Sequence, residues 1–414
     1  MVLIDLFMIG QLGAAELTAV GMGLVLLSGS IGVLDNLFAT GGGILVARFI
    51  GANKPQNATN VLGAMFFIAL PLSIFSALTI PFVADLYLLL QTTPQVAELG
   101  GLYFGTLLAG SLFLYLDVLL FTYFVSIGNS KLPMKIKIMS LGLNVIFNYV
   151  FIFGHFGAPA LGVQGAALGT VIATVFSVGL YLIVIKCTSV YSIQIRHALK
   201  YVKDILKLGI PSAIENLTFQ LSWLLVISLI NHYAASVAAG FQIGYRVESI
   251  AFLPGLGTAA AATTLVSRFI GANQPDKVDK VVSVTARVTC VFMGVIGVLM
   301  AVTPESFARL FANQPDVIND ASLYIRVIGL AQIPLGLQFV YTAALRGLGD
   351  ISKTALIKVV LLWLNVVLPS WVVVQLGLDV VWLFSVIALA NVVDAGVFMA
   401  RFRYLRSPSM IVQT

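Results

Sequence analysis

The chain has 414 residues, is 59% hydrophobic and only 10% charged, and its mean hydropathy is +1.02. A water-soluble fold cannot hide that much apolar side chain, which excludes a soluble enzyme and points to a membrane protein. The net charge of +6 then reads as charge sorted by membrane topology rather than as a nucleic-acid footprint, and the two cysteines, Cys187 and Cys290, imply no disulfide framework.

Crossing a bilayer as a helix takes ~20 apolar residues. In chain order the predicted helices are Met1–Gln11 (partial), Leu17–Ile50, Ala58–Val83, Val96–Ile127, Leu132–His155 and Val163–Lys186. After a linker come Ile205–Ile230, Val237–Ile270, Val278–Val302, Val317–Leu348, Ser352–Leu376 and Val380–Arg403. The fold class is therefore all-α integral membrane, with twelve spans in two sets of six. The expected organisation is an N-terminal bundle at 1–186, a linker at 187–204, a C-terminal bundle at 205–406 and a tail at 407–414.

The two sets are copies. Leu45–Pro55 reads LVARFIGANKP and Leu265–Pro275 reads LVSRFIGANQP, and Leu143–Asn144–Val145 is repeated at Leu364–Asn365–Val366. With six spans per copy both enter the membrane from the same side. The pseudo-two-fold axis is expected along the membrane normal, and a transport site belongs at the repeat interface. All of the 23 Lys and Arg residues except Arg246, Arg309 and Arg326 fall at alternate loops or helix ends. That side, with the C-terminus, is assigned to the cytoplasm.

The repeat exposes an asymmetry. Met1 aligns with Leu221, near the middle of helix seven, and Met1–Gln11 reaches only ~16 Å at 1.5 Å per residue. Roughly the first half of helix one is expected to be missing from this chain, through a misassigned start or a deletion. No basic start or small-residue cleavage site suggests a signal peptide. The linker 187–204 mixes Arg196, His197, Lys200 and Lys203 with Tyr191, Ile193, Ile195, Leu199 and Val202, the pattern of an amphipathic segment on anionic lipid.

Phosphate-loop, HExxH and Cys/His metal motifs are absent, so no catalytic site and no cofactor are expected. What remains are acids inside predicted spans: Asp5, Asp35, Asp117, Glu215, Glu248 and Asp394. A carboxylate at mid-membrane costs ~2.5–3.5 kcal/mol on insertion scales and faces a cavity or a partner. Desolvation favours its neutral form, and amide or cationic neighbours favour its anion. Held between these pulls, it can exchange a proton for a cation. Asp5 lies in helix one, while Asn144 and Asn148 stand one turn apart on one face of helix five. If those helices pack, Asp5 gains amides and becomes a candidate H⁺ or Na⁺ site, with Na⁺ at Asp5 and Asn144; the alternative is a hydrogen bond that only fixes packing.

Glu215 follows Pro211 by one turn, with Asn216 next and Gln220 a turn on. It suits either a cation site near the carbonyl freed by the proline or a carboxylate reaching out to the cytoplasmic interface. Arg246 and Glu248 are two apart and face different ways. Each is a cavity candidate, and Arg246 is a potential partner for an acid. Asp35 and Asp117 fit functional or structural roles equally. Asp394 reads as structural and nearer the cytoplasmic end. Gly41–Gly42–Gly43 fits close packing or bending, and Pro254 with Gly255 and Gly257 breaks helix eight.

In order along the chain, LTAVG at 17–21, LVARFIGAN ending helix two, LNVIFNYVFIFG in helix five, GVQGAALGT opening helix six and ALRGLGD ending helix ten resemble the multidrug and toxic compound extrusion (MATE) transporters. The resemblance runs along nearly the whole chain. It implies two bundles splayed around a central cavity, and export of organic cations or amphipathic compounds in exchange for H⁺ or Na⁺. Asp5 stands at the family's first-helix aspartate, Asn144 at its helix-five asparagine, and Thr170 near the same site. Where the family often has a second aspartate this chain has Asn148. Helix ten, LAQIPLGLQFVYTAALRG, lacks the acid of another branch. The DNA-damage-inducible-like or mixed bacterial branch fits better, with H⁺ favoured over Na⁺, and Phe121, Tyr123 and Phe147 are candidate cavity aromatics.

The expected activity is a cation-coupled antiporter of the bacterial inner membrane, acting as a monomer among membrane lipids on small organic cations or amphipathic compounds, with no nucleic-acid partner. The alternatives are a flippase of lipid-linked saccharides from the same superfamily, or a truncated chain that does not transport.

Overall fold

The computed structural model describes residues 2–188 and 194–406. Tyr191 and Ile193 of the expected amphipathic segment, and the tail at 407–414, lie outside the described residues. The described chain is helical almost throughout. A short α1 (Val2–Ile9) precedes α2 (Ala14–Gly51), α3 (Pro55–Leu78), α4 (Pro94–Ala109 with Ser111–Ser126), α5 (Lys131–Phe153) and α6 (Val163–Cys187). The second set is α7 (Ile195–Ile230), α8 (Ala235–Ala251 with Leu253–Gly271), α9 (Asp276–Val302), α10 (Pro315–Leu330 with Gln332–Leu348), α11 (Ile351–Gln375) and α12 (Val380–Leu405). Among the described residues eight helices are each long and apolar enough to span a bilayer, and the three bent pairs bring the total to eleven. With α1 this is the expected arrangement of twelve.

The outward faces are apolar. On α9, Val284, Val288, Val291, Val295, Val298 and Val302 are all exposed. They recur every three to four residues, so they form one continuous stripe along the helix. No water-soluble fold leaves such a stripe uncovered; hydrocarbon is the solvent that accepts it.

Packing divides the chain into two units, Met1–Ala213 and Ile214–Thr414. The sequence placed the division at the 187–204 linker. It falls later because the residues from Ile195 onward are already helix, continuous with helix seven, and this first stretch packs into the first unit. A methyl group added to Gly209 would sit 2.6 Å from the Leu37 carbonyl oxygen, and Gly41 leaves no room for a side chain against the Ile205 main chain. On α2, a methyl at Gly43 would lie 2.9 Å from Ser126 Oγ. Close approach is thus the observed role of the glycine run, whose residues close a π-helical stretch at Leu37–Gly43.

Each break has an identifiable cause. Helix eight bends 42° between Ala251 and Leu253, just ahead of Pro254, as expected for a residue without an N–H. Helix ten bends 52° at Ala331, three residues before Pro334. Helix four bends 54° at Gly110, against which Val171 packs so tightly that a Cβ there would sit 2.5 Å from a Val171 methyl. Helix three ends at Leu78 rather than Val83, and a 3₁₀ turn at Ile80–Phe82 starts a separate short helix.

The duplication extends to backbone detail. Asn53 and Asn273 both take left-handed conformations, with φ of 55° and 58°, a geometry asparagine tolerates better than most residues. Lys54 N donates to Phe49 O at 2.8 Å, and Gln274 N to Phe269 O at 2.9 Å. Two identical helix caps thus close the two copies of the most similar segment.

Candidate functional site

In the first unit, α1 packs against α5 and α6 and buries Asp5, which is 2% exposed. Asn148 Nδ2 donates to Asp5 Oδ1 at 2.5 Å. Asn144, one turn earlier on α5, donates to Thr170 Oγ1 at 3.2 Å and to Asn148 Oδ1 at 3.5 Å. The amide that touches Asp5 is therefore Asn148, and Asn144 reaches it through Asn148. Gly169 makes the cluster possible: any side chain there would run into Asn148 Oδ1. Tyr103, fully buried on α4, interacts electrostatically with Asp5, a tertiary neighbour that no sequence spacing announces.

Among the described residues the side chains bonded in this cluster are one carboxylate, two primary amides and a hydroxyl. Asn144 Oδ1 is buried and has no hydrogen-bond partner among the described residues, an arrangement that costs free energy unless something fills it. Carboxylate, amide carbonyl and hydroxyl oxygens are the ligands that hard monovalent and divalent cations prefer, and the same groups satisfy a proton. Among the described residues no group of three His, Cys, Asp or Glu is placed to hold a metal ion.

The other first-unit acids differ. Asp117 is buried and forms an ion pair with Lys137 of α5, and Ser177 Oγ donates to it at 2.6 Å. Asp35 is exposed, with Lys137 close enough to act on it electrostatically. Tyr123 and Phe124 meet edge to face, and Phe147 stacks on Phe151, while Phe121 is exposed.

In the second unit Glu215 neither reaches out to water nor holds a vacant cation site. It is 5% exposed, Arg346 Nη2 donates to both of its oxygens at 2.8 and 2.7 Å, and Lys358 Nζ lies 3.1 Å away. Helices α10 and α11 supply these cations from more than 130 residues along the chain, which is why the local sequence around Pro211 gave no hint of them. Gln220 bonds Asn216 on its own helix at 2.9 Å. Arg246 is exposed and does not neutralise Glu248. Glu248 is buried and accepts instead from Tyr324 Oη at 2.5 Å, within rings that include Phe241 and Phe384.

Asp394, read from the sequence as a structural residue near the cytoplasmic end, sits near the middle of the 26-residue α12. Gln338 Nε2 donates to its Oδ2 at 2.8 Å and Asn365 Nδ2 to its Oδ1 at 3.0 Å.

Two curated relatives and a solved structure resemble most or all of the chain. A probable multidrug resistance protein NorM of Thermotoga maritima is 28% identical over 355 residues, spanning 83% of this chain and 75% of its own. The multidrug resistance protein NorM of Burkholderia vietnamiensis is 26% identical over 419 residues, 98% of this chain and 90% of its own. A MOP superfamily transporter from Pyrococcus furiosus superposes with a TM-score of 0.88 at 22% identity, covering 98% of this chain and 92% of that one, which establishes the shared fold. The MatE family model matches residues 1–150 and 211–371. That is well over half of the chain, in both copies of the repeat, and the protein belongs to the MatE family of membrane transporters.

Proposed function

We propose that the protein is a cation-coupled secondary antiporter that exports cationic or amphipathic organic compounds across the bacterial inner membrane by alternating access. The observation that carries this reading is the sealed Asp5 cluster: a buried carboxylate held by Asn148, with the Asn144 carbonyl unpartnered beside it. Taking up H⁺ or Na⁺ removes the charge from Asp5 and changes how α1 packs. Releasing it restores the anion. If the two forms differ in affinity for the exported compound, the cation gradient biases a two-state equilibrium. The multidrug-resistance names of the Thermotoga and Burkholderia relatives support the substrate class, and the basic excess on one face supports a cytoplasmic C-terminus. The chain works as a monomer on this reading.

A lipid-linked saccharide carrier needs free cations for a pyrophosphate. Arg346 and Lys358 are committed to Glu215, and Lys137 to Asp117, which favours the antiporter. In proteoliposomes, Asp5→Asn is expected to abolish uptake of a fluorescent organic cation driven by an H⁺ or a Na⁺ gradient, each applied separately, at wild-type expression. Wild-type uptake by this variant under both gradients would remove Asp5 from coupling.

A further inference from the structure

The repeat carries Asn144 onto Asn365. The second copy has lost the counterpart of Asp5, which is the apolar Val226. It has gained an acid where the first copy has Ala173, namely Asp394. Each unit therefore keeps one mid-membrane carboxyl beside the duplicated asparagine, delivered from a different helix: α1 in the first, α12 in the second.

The two clusters share a chemistry that the remaining paired acids lack. Glu215 and Asp117 are neutralised at contact by Arg or Lys. Asp394 has no ion pair among the described residues, and each of its oxygens accepts one primary amide. A primary amide serves either charge state. It offers its NH₂ to a carboxylate and, turned over, its carbonyl to a protonated carboxyl or a bound cation. Guanidinium and ammonium groups have no acceptor and serve only the anion. Asn365 lies in a π-helical stretch, Leu362–Val367, a local irregularity that recurs at functional sites. Thr342, one turn beyond Gln338 on the same face of α10, buries a hydroxyl without a hydrogen-bond partner among the described residues.

The charged surroundings leave Asp394 the exchangeable group. On α11, Lys358 acts on it electrostatically but is bonded to Glu215, and Lys353 is more than two turns from Asn365. On α10, Arg346 is committed to Glu215, Tyr324 to Glu248, and Tyr341 packs on Phe402. Asp316, Asp320 and Arg326 lie in the other half of α10, before the bend. On α12 itself, Arg401 is bonded to Asp350.

We propose that Asp394, Gln338 and Asn365 form a second exchange site for a monovalent cation, H⁺ or Na⁺, so that one transport cycle moves two coupling cations. The proposal rests on the coupled-exchange reading above. It is tested by binding tetraphenylphosphonium to the detergent-purified full chain. Calorimetry in buffers of differing ionisation enthalpy counts protons displaced, and the same titration across Na⁺ concentrations counts sodium. By linkage the wild type is expected to displace about two cations, and Asp394→Asn and Asp5→Asn about one each. The Gln338→Leu/Asn365→Leu variant keeps the carboxyl but strips its amides. It is expected to show the same loss as Asp394→Asn, and decides the matter should Asp394→Asn not fold. If the Asp394 and amide variants displace as many cations as wild type while Asp5→Asn displaces one fewer, the second site is wrong and the coupled reading stands. If the wild type displaces none, both fail.

Discussion

Glu215 and Asp394 are both buried acids on membrane helices, and the residues around them decide what each can do. Two cations hold Glu215: Arg346 donates to both carboxylate oxygens, and Lys358 pairs with one of them. The triad cross-links α7, α10 and α11. Removing one partner of a buried ion pair costs about 3–5 kcal/mol, because the charge left behind has no solvent. Glu215→Gln leaves two cations facing each other, so it is expected to lower the thermal unfolding midpoint in detergent markedly. Gln220→Leu breaks only a bond to Asn216 within one helix and is expected to cost about 1 kcal/mol. Equal midpoints for the two variants would show that the ion triad does not hold the second unit together.

At the scale of the helix, contact geometry depends on where side chains are missing. Helices α5 and α6 close on one another at Gly169, and the polar cluster sits in that contact. Gly169→Val forces its methyl groups into Asn148, an overpacking that costs about 1–3 kcal/mol, and is expected to cut gradient-driven uptake with the protein still inserted. At Gly179, ten residues along the same helix, an added methyl group would meet nothing within 4 Å, so Gly179→Val controls for the helix itself and is expected to transport normally. Uptake by Gly169→Val equal to that of Gly179→Val would mean that the α5–α6 approach does not set the site. The helices and the break at Pro254 were legible in the sequence, because apolar length and proline are local signals. The i,i+4 pair Asn144 and Asn148 marked a polar face of helix five, but the packing of Asp5 onto it was a conditional expectation, and the contact is made by Asn148 rather than Asn144. The bend at Gly110, the cations on Glu215 and the amides on Asp394 were not legible. They depend on partners tens of residues away, and Asp394 accepts from Gln338 and Asn365 at separations of 56 and 29 residues.

Over the whole molecule the duplication sets the membrane topology. The same sequence segment ends α2 and α8 with the same left-handed asparagine and the same backbone bond closing each helix. Six crossings per copy return each equivalent loop to the same face of the bilayer, and the proposed orientation puts that face, with the basic residues of these segments, in the cytoplasm. Lys54 and Gln274, one in each copy, are exposed at these caps. With the free cysteines Cys187 and Cys290 first replaced by serine, Lys54→Cys and Gln274→Cys are both expected to react with a membrane-impermeant maleimide in inverted vesicles and to be protected in intact cells. The labelling pattern reads the parity of the crossings, since an odd number of spans between the two positions places them on opposite faces. Labelling of one from each side would make the copies antiparallel in the membrane, and the Asp5 and Asp394 clusters could then no longer be treated as equivalents carried by one repeated unit.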